Sequence, residues 1–330
     1  MAQNSKKKSG SKNGQKMGGI GGIIAVIAIV LYFLFSQNSP ADTPAQTNSV
    51  PGQNASAAAP ADVAGQSELP VAAPSETMQM HVIDVGQGSS SLFVSNGKTI
   101  MIDAGENGTG KTIINYLNKL GIGSVDLFIG THPHSDHIGG MDEVMRQIDF
   151  KQIIMPTMPK SIVPTTNTYL DVLELIQEQG KSITAANVGD TYDIGAMHLE
   201  VLGPVSTYNE INNMSVVSMI TFGARRVLVT GDAEKAAERA VIGLNIDLKA
   251  DIYIAGHHGS STASTQELLD KVKPSYVAIS CGLDNKYGHP HKETIQKLEA
   301  MKIPYYRTDL NGNIEFIISD YSIQVELEKK

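Results

Sequence analysis

The sequence has a single cysteine and no tryptophan, and the shortage of cysteine restricts its chemistry. Cys281 is the only cysteine among 330 residues, so the chain can form no internal disulfide and no thiolate cage for a metal. Any metal site must therefore use histidine and carboxylate ligands. The nine histidines are the residues to follow, because most of them fall in a few short segments. Hydrophobic residues make up 41% of the chain, enough for a sizeable core.

Basic residues are missing between Lys16 and Lys98. Five lysines precede this gap, and an uncharged apolar run occupies residues 18–35 within it. The run is long enough to cross a bilayer as a single transmembrane helix, and the lysines before it predict a cytoplasmic basic tail at residues 1–17. Everything after the run is then expected outside the cell, anchored to the cell membrane. The alternative is a cleaved signal peptide, for which Ser39-Pro40-Ala41 is a weak cleavage site.

Two further segments follow the apolar run. Residues 36–77 are rich in alanine, proline, serine and glutamine and cannot bury a core, which predicts a flexible extracellular linker. From residue 78 to residue 330, short β-branched runs alternate with segments of helical period. This alternation predicts one α/β domain whose sheets are covered by helices. A capping box at residues 264–267 marks the expected start of one helix.

The predicted domain is acidic. Five of the 26 basic residues and four of the 34 acidic residues precede residue 79, which leaves a net charge of −9 for the rest. Nucleic-acid-binding proteins usually present a basic groove. The charge therefore counts against nucleic acid as a partner unless bound cations offset it.

One segment has the composition of a metal site. His132, His134, Asp136 and His137 lie within six residues, directly after an apolar run that is expected to form a strand. Burying these imidazoles without partners would cost on the order of several kcal/mol for each. Neutral imidazole and carboxylate ligands suit zinc, manganese or iron better than calcium. The segment is therefore interpreted as a metal site rather than as a solvated loop.

Three other predicted strands end in residues of the same kind. They are followed by Asp103, by Asp232, and by the adjacent pair His257 and His258. Sites in α/β sheets form at the carboxyl ends of strands, so four such ends indicate one convergent site. A single aspartate in this position would more often be a turn or N-cap residue.

These segments stand in the order found in the metallo-β-lactamase superfamily, and residues 78–330 resemble that superfamily throughout. The resemblance implies an αββα sandwich with two divalent metal ions, zinc or manganese, at the edge between the sheets. The ligands it implies are His132 and His134 for one ion, Asp136, His137 and either His257 or His258 for the other, and Asp232 as the bridge. His257 comes first after its strand and is preferred, with His258 as the alternative. Asp103 is expected to orient a ligand histidine.

Within the superfamily, the sequence most resembles the C-terminal hydrolase domain of ComEC-type competence proteins. The resemblance lies in VIDVGQG, NMSVV, HHGS and YGHP, at residues 82–88, 213–217, 257–260 and 287–290. Asn213 and Ser215 stand where other members have a further metal-binding histidine, and they are expected to support the site. His289 is implied as a phosphate contact or a proton donor, with a structural turn residue as the alternative. Those proteins also contain a multi-span channel, so a separate DNA-uptake channel is the expected partner of this chain.

The resemblance implies a membrane-anchored extracellular hydrolase. A phosphodiesterase or nuclease that acts on DNA is the expected activity, with Asp136, Asp232 and His289 taking part in the reaction. Alternatives are a hydrolase of another extracellular substrate, such as a teichoic-acid phosphodiester, a lactone or a β-lactam, and a non-catalytic metal-binding surface protein. Residues 105–112 also fit the phosphate-binding pattern GxxxxGKT. The strand aspartate that would assist magnesium there, Asp232, is already assigned, so no nucleotide cofactor is expected.

Overall fold

The computed structural model describes residues 76–329, in which two mixed β-sheets lie between layers of helices. The strands are β1 (Met78–Val82), β2 (Ser91–Ser95), β3 (Lys98–Ile102), β4 (Ser124–Val125), β5 (Leu127–Ile129), β6 (Asp149–Phe150), β7 (Ile153–Met155), β8 (Ile183–Ala185), β9 (Thr191–Ile194), β10 (Met197–Gly203), β11 (Val217–Phe222), β12 (Arg225–Val229), β13 (Ile252–Ile254), β14 (Tyr276–Ile279), β15 (Tyr305–Arg307), β16 (Ile314–Ile318) and β17 (Ile323–Leu327). The helices are α1 (Gly110–Lys119), α2 (Ser135–Ile138), α3 (Met141–Met145), α4 (Asn167–Glu178), α5 (Lys235–Ile242), α6 (Gln266–Val272), α7 (Lys292–Ala300) and α8 (Thr308–Asn311).

The predicted tail and membrane helix, and the linker up to residue 75, lie outside the described residues. Within residues 76–329, no helix combines the length and the apolar character that a bilayer span requires.

Each sheet joins an antiparallel part to a parallel part. The first sheet has the order β17, β16, β1, β2, β3, β5, β7, β8, in which β3, β5, β7 and β8 run parallel to one another. The second sheet has the order β15, β14, β13, β12, β11, β10, β9, and the strands from β12 to β15 are parallel. Strands β4 and β6 pair separately. The parallel strands are the ones whose carboxyl ends carry the predicted site.

Alternating side chains give each sheet an inner and an outer face. In β3, Ile100 and Ile102 belong to a core between the sheets that includes Val227 and Ile252 of the second sheet. Met101, which points the other way, belongs to a separate core beneath the helices. The two sheets therefore pack face to face.

Helices cover both outer faces. Leu117 of α1 and Val144 of α3 pack on the first sheet, and Val241 of α5 and Leu298 of α7 pack on the second. Fully burying a side chain of this size contributes about 1.5–3 kcal/mol to folding. The layer order of helix, sheet, sheet and helix confirms the expected αββα sandwich.

The start of α6 differs from the prediction. Thr265 is the N-cap, and its hydroxyl accepts a hydrogen bond from the N–H of Leu268. The N–H groups of Ser264 and Thr265 donate to the buried carboxylate of Glu238 in α5, at 2.6 and 2.9 Å. The predicted capping box at residues 264–267 is therefore wrong. Helix α6 begins one residue later, and the carboxylate that accepts these hydrogen bonds belongs to α5 rather than to α6 itself.

The loop between β3 and α1 contains the GxxxxGKT pattern and packs closely on the chain. The carbonyl oxygen of Gly105 accepts hydrogen bonds from the N–H groups of Gly139 and Gly140, at 2.8 and 3.3 Å. A Cβ at Gly139 would lie 2.3 Å from the backbone nitrogen of Asn107, so only glycine fits there. This loop packs against the junction of α2 and α3, whereas a phosphate-binding loop would leave that space open for its ligand.

Candidate metal centre

The carboxyl ends of four strands meet at one edge of the sandwich. Asp103 follows β3 and His132 lies just after β5 in the first sheet, while Asp232 and His258 lie just after β12 and β13 in the second. Strand β3 is parallel to β5, and β12 is parallel to β13. Neighbouring parallel strands end at the same edge, so the fold brings these side chains together.

Four of the predicted ligands form a compact cluster. One ligand atom from each of Asp136, His137, Asp232 and His258 lies within 4.8 Å of the others. The Nε2 atom of His258 is 3.3 Å from an Asp136 oxygen, and that of His137 is 3.0 Å from an Asp232 oxygen. Among the described residues, these two buried Nε2 atoms have no hydrogen-bond partner. Buried nitrogens that face carboxylates in this way fit a cation between them.

The opposite nitrogen of each of these two imidazoles is held by the protein. The Nδ1 atom of His137 is 2.6 Å from Asp103 Oδ2, and that of His258 is 2.9 Å from the carbonyl oxygen of Ser280. An oxygen acceptor at Nδ1 keeps a proton there and leaves the lone pair of a neutral ring on Nε2. Asp103 thus has the position expected of a residue that orients a ligand histidine.

His132 and His134 lie beside this cluster. The Nε2 atom of His132 is 3.0 Å from His134 Nδ1 and 3.8 Å from Asp232 Oδ2. The other oxygen of Asp232, Oδ1, faces His137. One carboxylate therefore lies between the two groups of histidines, as a bridging ligand would.

Burial and neighbouring charges set the protonation of the cluster. Burial alone would raise the pKa of Asp232, but His137 and His258 outweigh it and hold that pKa well below its usual value. Burial, reinforced by His137, lowers the pKa of His132 well below its usual value. Burial also opposes the charged form of His137, but Asp232 and Asp103 raise its pKa overall. A divalent cation can replace the proton that His137 carries between the two carboxylates.

The turn after β13 decides which histidine enters the cluster. His257 and His258 both have positive φ, 51° and 55°, a conformation that costs about 1–3 kcal/mol for each residue with a Cβ. The turn is held by hydrogen bonds from the N–H of His257 to the carbonyl of Gly231 and from the N–H of Gly256 to the hydroxyl of Tyr253, both 3.0 Å. Backbone strain of this kind is typical of functional sites.

The cluster borders an open pocket of about 570 Å³. Its lining includes Asp136, Asp232, His257, His258 and His289. Among the described residues that line it, none is a lysine or an arginine. The pocket therefore has no fixed cationic side chain for an anionic substrate.

Residues 83–282 match the metallo-beta-lactamase superfamily, and this range includes every residue of the cluster. The chain belongs to this superfamily.

Its relatives within the superfamily include larger proteins. ComE operon protein 3 of Bacillus subtilis (strain 168) is 31% identical over 261 residues, which cover 72% of this chain and 33% of that protein. Competence protein ComA of Neisseria gonorrhoeae is 28% identical over 250 residues, covering 75% of this chain and 33% of ComA. The chain thus spans about a third of the length of these two relatives. The expected likeness to the hydrolase domain of ComEC-type competence proteins is confirmed.

Two more distant matches complete the comparison. Endoribonuclease YSH1 of Kluyveromyces lactis is 24% identical over 174 residues, which cover 47% of this chain and 22% of YSH1. The crystal structure of CmlA, a diiron beta-hydroxylase from Streptomyces venezuelae, has a TM-score of 0.51 at 14% identity, covering 75% of this chain and 55% of that chain. At so low an identity the structural likeness concerns the fold alone.

In this member of the metallo-beta-lactamase superfamily, Asn213 and Ser215 lie behind the cluster. The Ser215 hydroxyl accepts a hydrogen bond from the N–H of Asp232 at 3.0 Å and lies 3.3 Å from His132 Nδ1. The Asn213 side-chain oxygen accepts one from the N–H of Glu234 at 3.1 Å. Both side chains are buried. Ser215 thus contacts two of the predicted ligands, whereas Asn213 contacts the backbone two residues after Asp232.

His258 rather than His257 enters the cluster of this superfamily member. The Nε2 atom of His257 is 3.7 Å from an Asp232 oxygen, and its Nδ1 is 3.3 Å from a Glu234 oxygen. His257 was preferred because it comes first after the strand. The positive-φ turn directs the second histidine inward, so the geometry reverses that order.

His289 lies at the pocket wall, with its ring centre 5.3 Å from that of His257 and 6.0 Å from that of His258. Its Nδ1 atom is buried and has no hydrogen-bond partner within residues 76–329. Burial, and then His258 and His257, lower the pKa of His289 to about 4. The ring is therefore neutral at neutral pH, which favours hydrogen bonding over proton release.

Thr131 and Tyr287 also belong to the site, although neither is among the predicted site residues. Thr131 donates to Asp103 twice, from its N–H at 2.8 Å and from its hydroxyl at 2.9 Å, and so links two strand ends. Its place directly before His132 was the available signal. Tyr287 lines the pocket, and its place in the YGHP segment, two residues before His289, was the available signal.

Proposed function

We propose that this chain is a metal-dependent phosphodiesterase that cleaves DNA. The observation that carries the proposal is the cluster of Asp136, His137, Asp232 and His258 beside an open pocket. Clustered imidazoles and carboxylates with buried, unpaired nitrogens are suited to divalent cations, and an open pocket admits part of a polymer.

The chain offers ligands for two adjacent ions. Asp136, His137, Asp232 and His258 would hold one ion, and His132 and His134, again with Asp232, would hold the other. Ions in these positions would act as Lewis acids toward a phosphate ester and lower the pKa of a water molecule. The ligand types favour zinc or manganese.

Other side chains would position the substrate. His289 is neutral and has a buried Nδ1 atom without a partner among the described residues, so it can hydrogen-bond a phosphate oxygen. Asp103 and Ser280 hold the rings of His137 and His258 from behind, which keeps the ligands in place during turnover. The protein's own contribution is thus orientation and hydrogen bonding.

The charge of the pocket makes DNA binding depend on the ions. Asp136 and Asp232 carry negative charge because the neighbouring His258 and His137 outweigh burial and lower the pKa values of both carboxyls. No lysine or arginine is among the described residues of the pocket lining. A phosphodiester would be repelled unless bound cations reverse the local charge. An acidic domain can therefore act on DNA only in its metal-loaded form.

The names of the relatives support this substrate class. One is named a competence protein and another an endoribonuclease. An endoribonuclease cleaves a nucleic-acid phosphodiester, which supports that bond as the target, and DNA as the polymer is our proposal from the likeness to competence proteins. The likeness to competence proteins supports a DNA-uptake channel as the partner that we propose.

We also propose that residues 18–35 anchor the chain in the cell membrane with the catalytic domain outside. Five lysines precede the apolar run, and no basic residue follows until Lys98. This asymmetry supports a cytoplasmic N-terminus. Protease added to intact cells that express the chain should remove the domain, and full protection would contradict the orientation.

The activity is tested with the full chain in detergent, stripped of metal and then supplied with zinc or manganese. Linear DNA, bis-p-nitrophenyl phosphate and nitrocefin are offered as substrates. Asp136→Ala and Asp232→Ala should each lower DNA cleavage by more than the roughly 10–100-fold typical of residues behind a metal ligand. Asp193→Ala, which removes an exposed carboxylate beside His198, is the matched control and should keep full activity.

The substrate pattern separates the alternatives. Metal-dependent cleavage of DNA that both variants lose supports the proposal. Cleavage of the small diester alone would leave a phosphodiesterase of another polymer, such as teichoic acid. Cleavage of nitrocefin alone would indicate a lactamase. Absence of any cleavage together with absence of metal binding would refute the assignment.

A further inference from the structure

The loop between β14 and α7 holds an exposed aromatic ring beside the pocket. Half of the Tyr287 surface is exposed, although the residue also lines the pocket. Its ring lies nearly parallel to that of His289, with 5.6 Å between centres and 20° between planes. The ring thus extends a stack from the metal centre toward solvent.

Asn285 gives this loop a defined shape. Its side-chain oxygen accepts hydrogen bonds from the N–H groups of Tyr287 and His289, at 3.2 and 3.0 Å. Its amide nitrogen donates to the carbonyls of Gly282 and His289, at 2.8 and 2.6 Å. One side chain therefore holds both stacked residues by their backbone, so the exposed ring is positioned before any ligand binds.

A second cavity continues from the pocket past this ring. It has a volume of about 260 Å³ and shares Gln87, Ser135, Asp136 and Tyr287 with the first pocket. It adds Lys286, the one lysine or arginine among the described residues that line either cavity. A groove thus leads from Asp136 to a site with an aromatic face and a cation.

Lys286 lies over the same ring. Its Nζ atom is 5.0 Å from the centre of the Tyr287 ring. A cation–π pair at an exposed site is weaker than the stacking of a nucleobase on an aromatic residue. A base can therefore displace the ammonium group, which becomes free to pair with an adjacent phosphate.

We propose that Tyr287 is a stacking platform for a nucleobase of single-stranded DNA next to the scissile phosphate, and that Lys286 contacts the flanking phosphate. This inference rests on the proposed function and specifies its substrate as unpaired strands. An aromatic face and one lysine, with acidic surroundings, offer little to the backbone of a duplex. Every unpaired base has a face that can stack, so the subsite selects for strandedness rather than for sequence.

The test compares two single-stranded oligonucleotides of equal length, one with all its bases and one with abasic sites in the centre. The metal-loaded full chain and its Tyr287→Ala and Tyr287→Phe variants are assayed on both. Tyr321→Ala is the matched control, because Tyr321 is 86% exposed. It also lies next to Asp320, which contacts the residues at the start of β12. Asp232 follows the other end of that strand, so Tyr321 is remote from the site.

Tyr287→Ala should raise KM for the complete oligonucleotide about tenfold or more, change kcat less, and leave the abasic substrate unchanged. Tyr287→Phe should behave like the parent chain because it keeps the ring, and so should Tyr321→Ala. An equal effect of Tyr287→Ala on both oligonucleotides would overturn the stacking role. If the parent chain cleaves neither, the proposed function fails. Fluorescence anisotropy with the same oligonucleotides then tests the stacking role separately. Only a loss of binding in Tyr287→Ala that depends on the presence of the bases is compatible with that role.

Discussion

Replacing Asp103 with asparagine tests how the protein holds its ligand histidines. Asp103 is fully buried, and its Oδ2 atom lies 2.6 Å from His137 Nδ1. Its Oδ1 and Oδ2 atoms also accept hydrogen bonds from the N–H and the hydroxyl of Thr131. Asparagine keeps one oxygen but turns an NH₂ group toward His137 and the Thr131 hydroxyl. The carboxylate that fixes the ring and its tautomer is then lost.

The backbone at this position makes asparagine the right replacement. Asp103 has φ of 63°, and asparagine tolerates this left-handed region better than most residues. Asp103→Asn therefore changes charge and hydrogen bonding without adding backbone strain, whereas alanine would change all three. Loss of the residue behind a metal-binding histidine typically lowers metal affinity about 10–100-fold, which corresponds to about 1.4–2.7 kcal/mol. We expect a loss in this range.

Metal affinity is measured by competition with a chelating indicator for zinc, so that the readout does not depend on turnover. Circular dichroism establishes that the variant is folded. The matched control is Asp126→Asn, at the other end of β5, where the carboxylate accepts from the N–H of Thr99 and from Lys151. This control should lower stability and leave zinc affinity unchanged. Zinc affinity of Asp103→Asn within threefold of the parent would refute the reasoning.

Two further predictions concern the turn after β13 and the start of α6. His258→Ala should reduce the metal content after dialysis at least tenfold more than His257→Ala, because only His258 belongs to the cluster; the opposite order would show that the turn rearranges when metal binds. Glu238→Ala leaves the N–H groups of Ser264 and Thr265 without their acceptor, so the free energy of unfolding in urea should fall by about 1–3 kcal/mol. Its kcat should stay at the parent value, and a loss of kcat at full folding would contradict a purely structural role.

Much of the fold could be predicted because the buried strands are apolar and β-branched. Strands β3 and β16 can be recognised from the sequence, because apolar and β-branched residues dominate both. Strands β9 and β17 are harder to recognise. Their residues are half exposed at the edges of the sheets, so polar side chains interrupt the apolar pattern. The exact ends of strands do not follow from the pattern, because tertiary hydrogen bonds decide where a ladder stops.

The candidate site is easier to recognise in the sequence than its surroundings. Histidines and aspartates directly after apolar runs form a pattern in the sequence itself, and this pattern indicates Asp232. The choice between His257 and His258 depended on two positive φ angles that no residue preference indicates. Asn285 was not predicted, and the YGHP segment assigned no role to Tyr287, since both residues act through hydrogen bonds and stacking within an irregular loop.

The cluster takes ligands from both halves of the sandwich. His137 lies in α2, which follows strand β5 of the first sheet, whereas Asp232 and His258 follow strands β12 and β13 of the second. A cation bound by these three side chains is released when either half unfolds. Its binding free energy therefore stabilises the packing of the two halves against each other as well as the segments that hold the ligands. Metal should therefore slow amide hydrogen exchange across the interface of the two sheets, including strands that do not contact it. Bound metal would then increase the cooperativity of unfolding, so that the two halves unfold together.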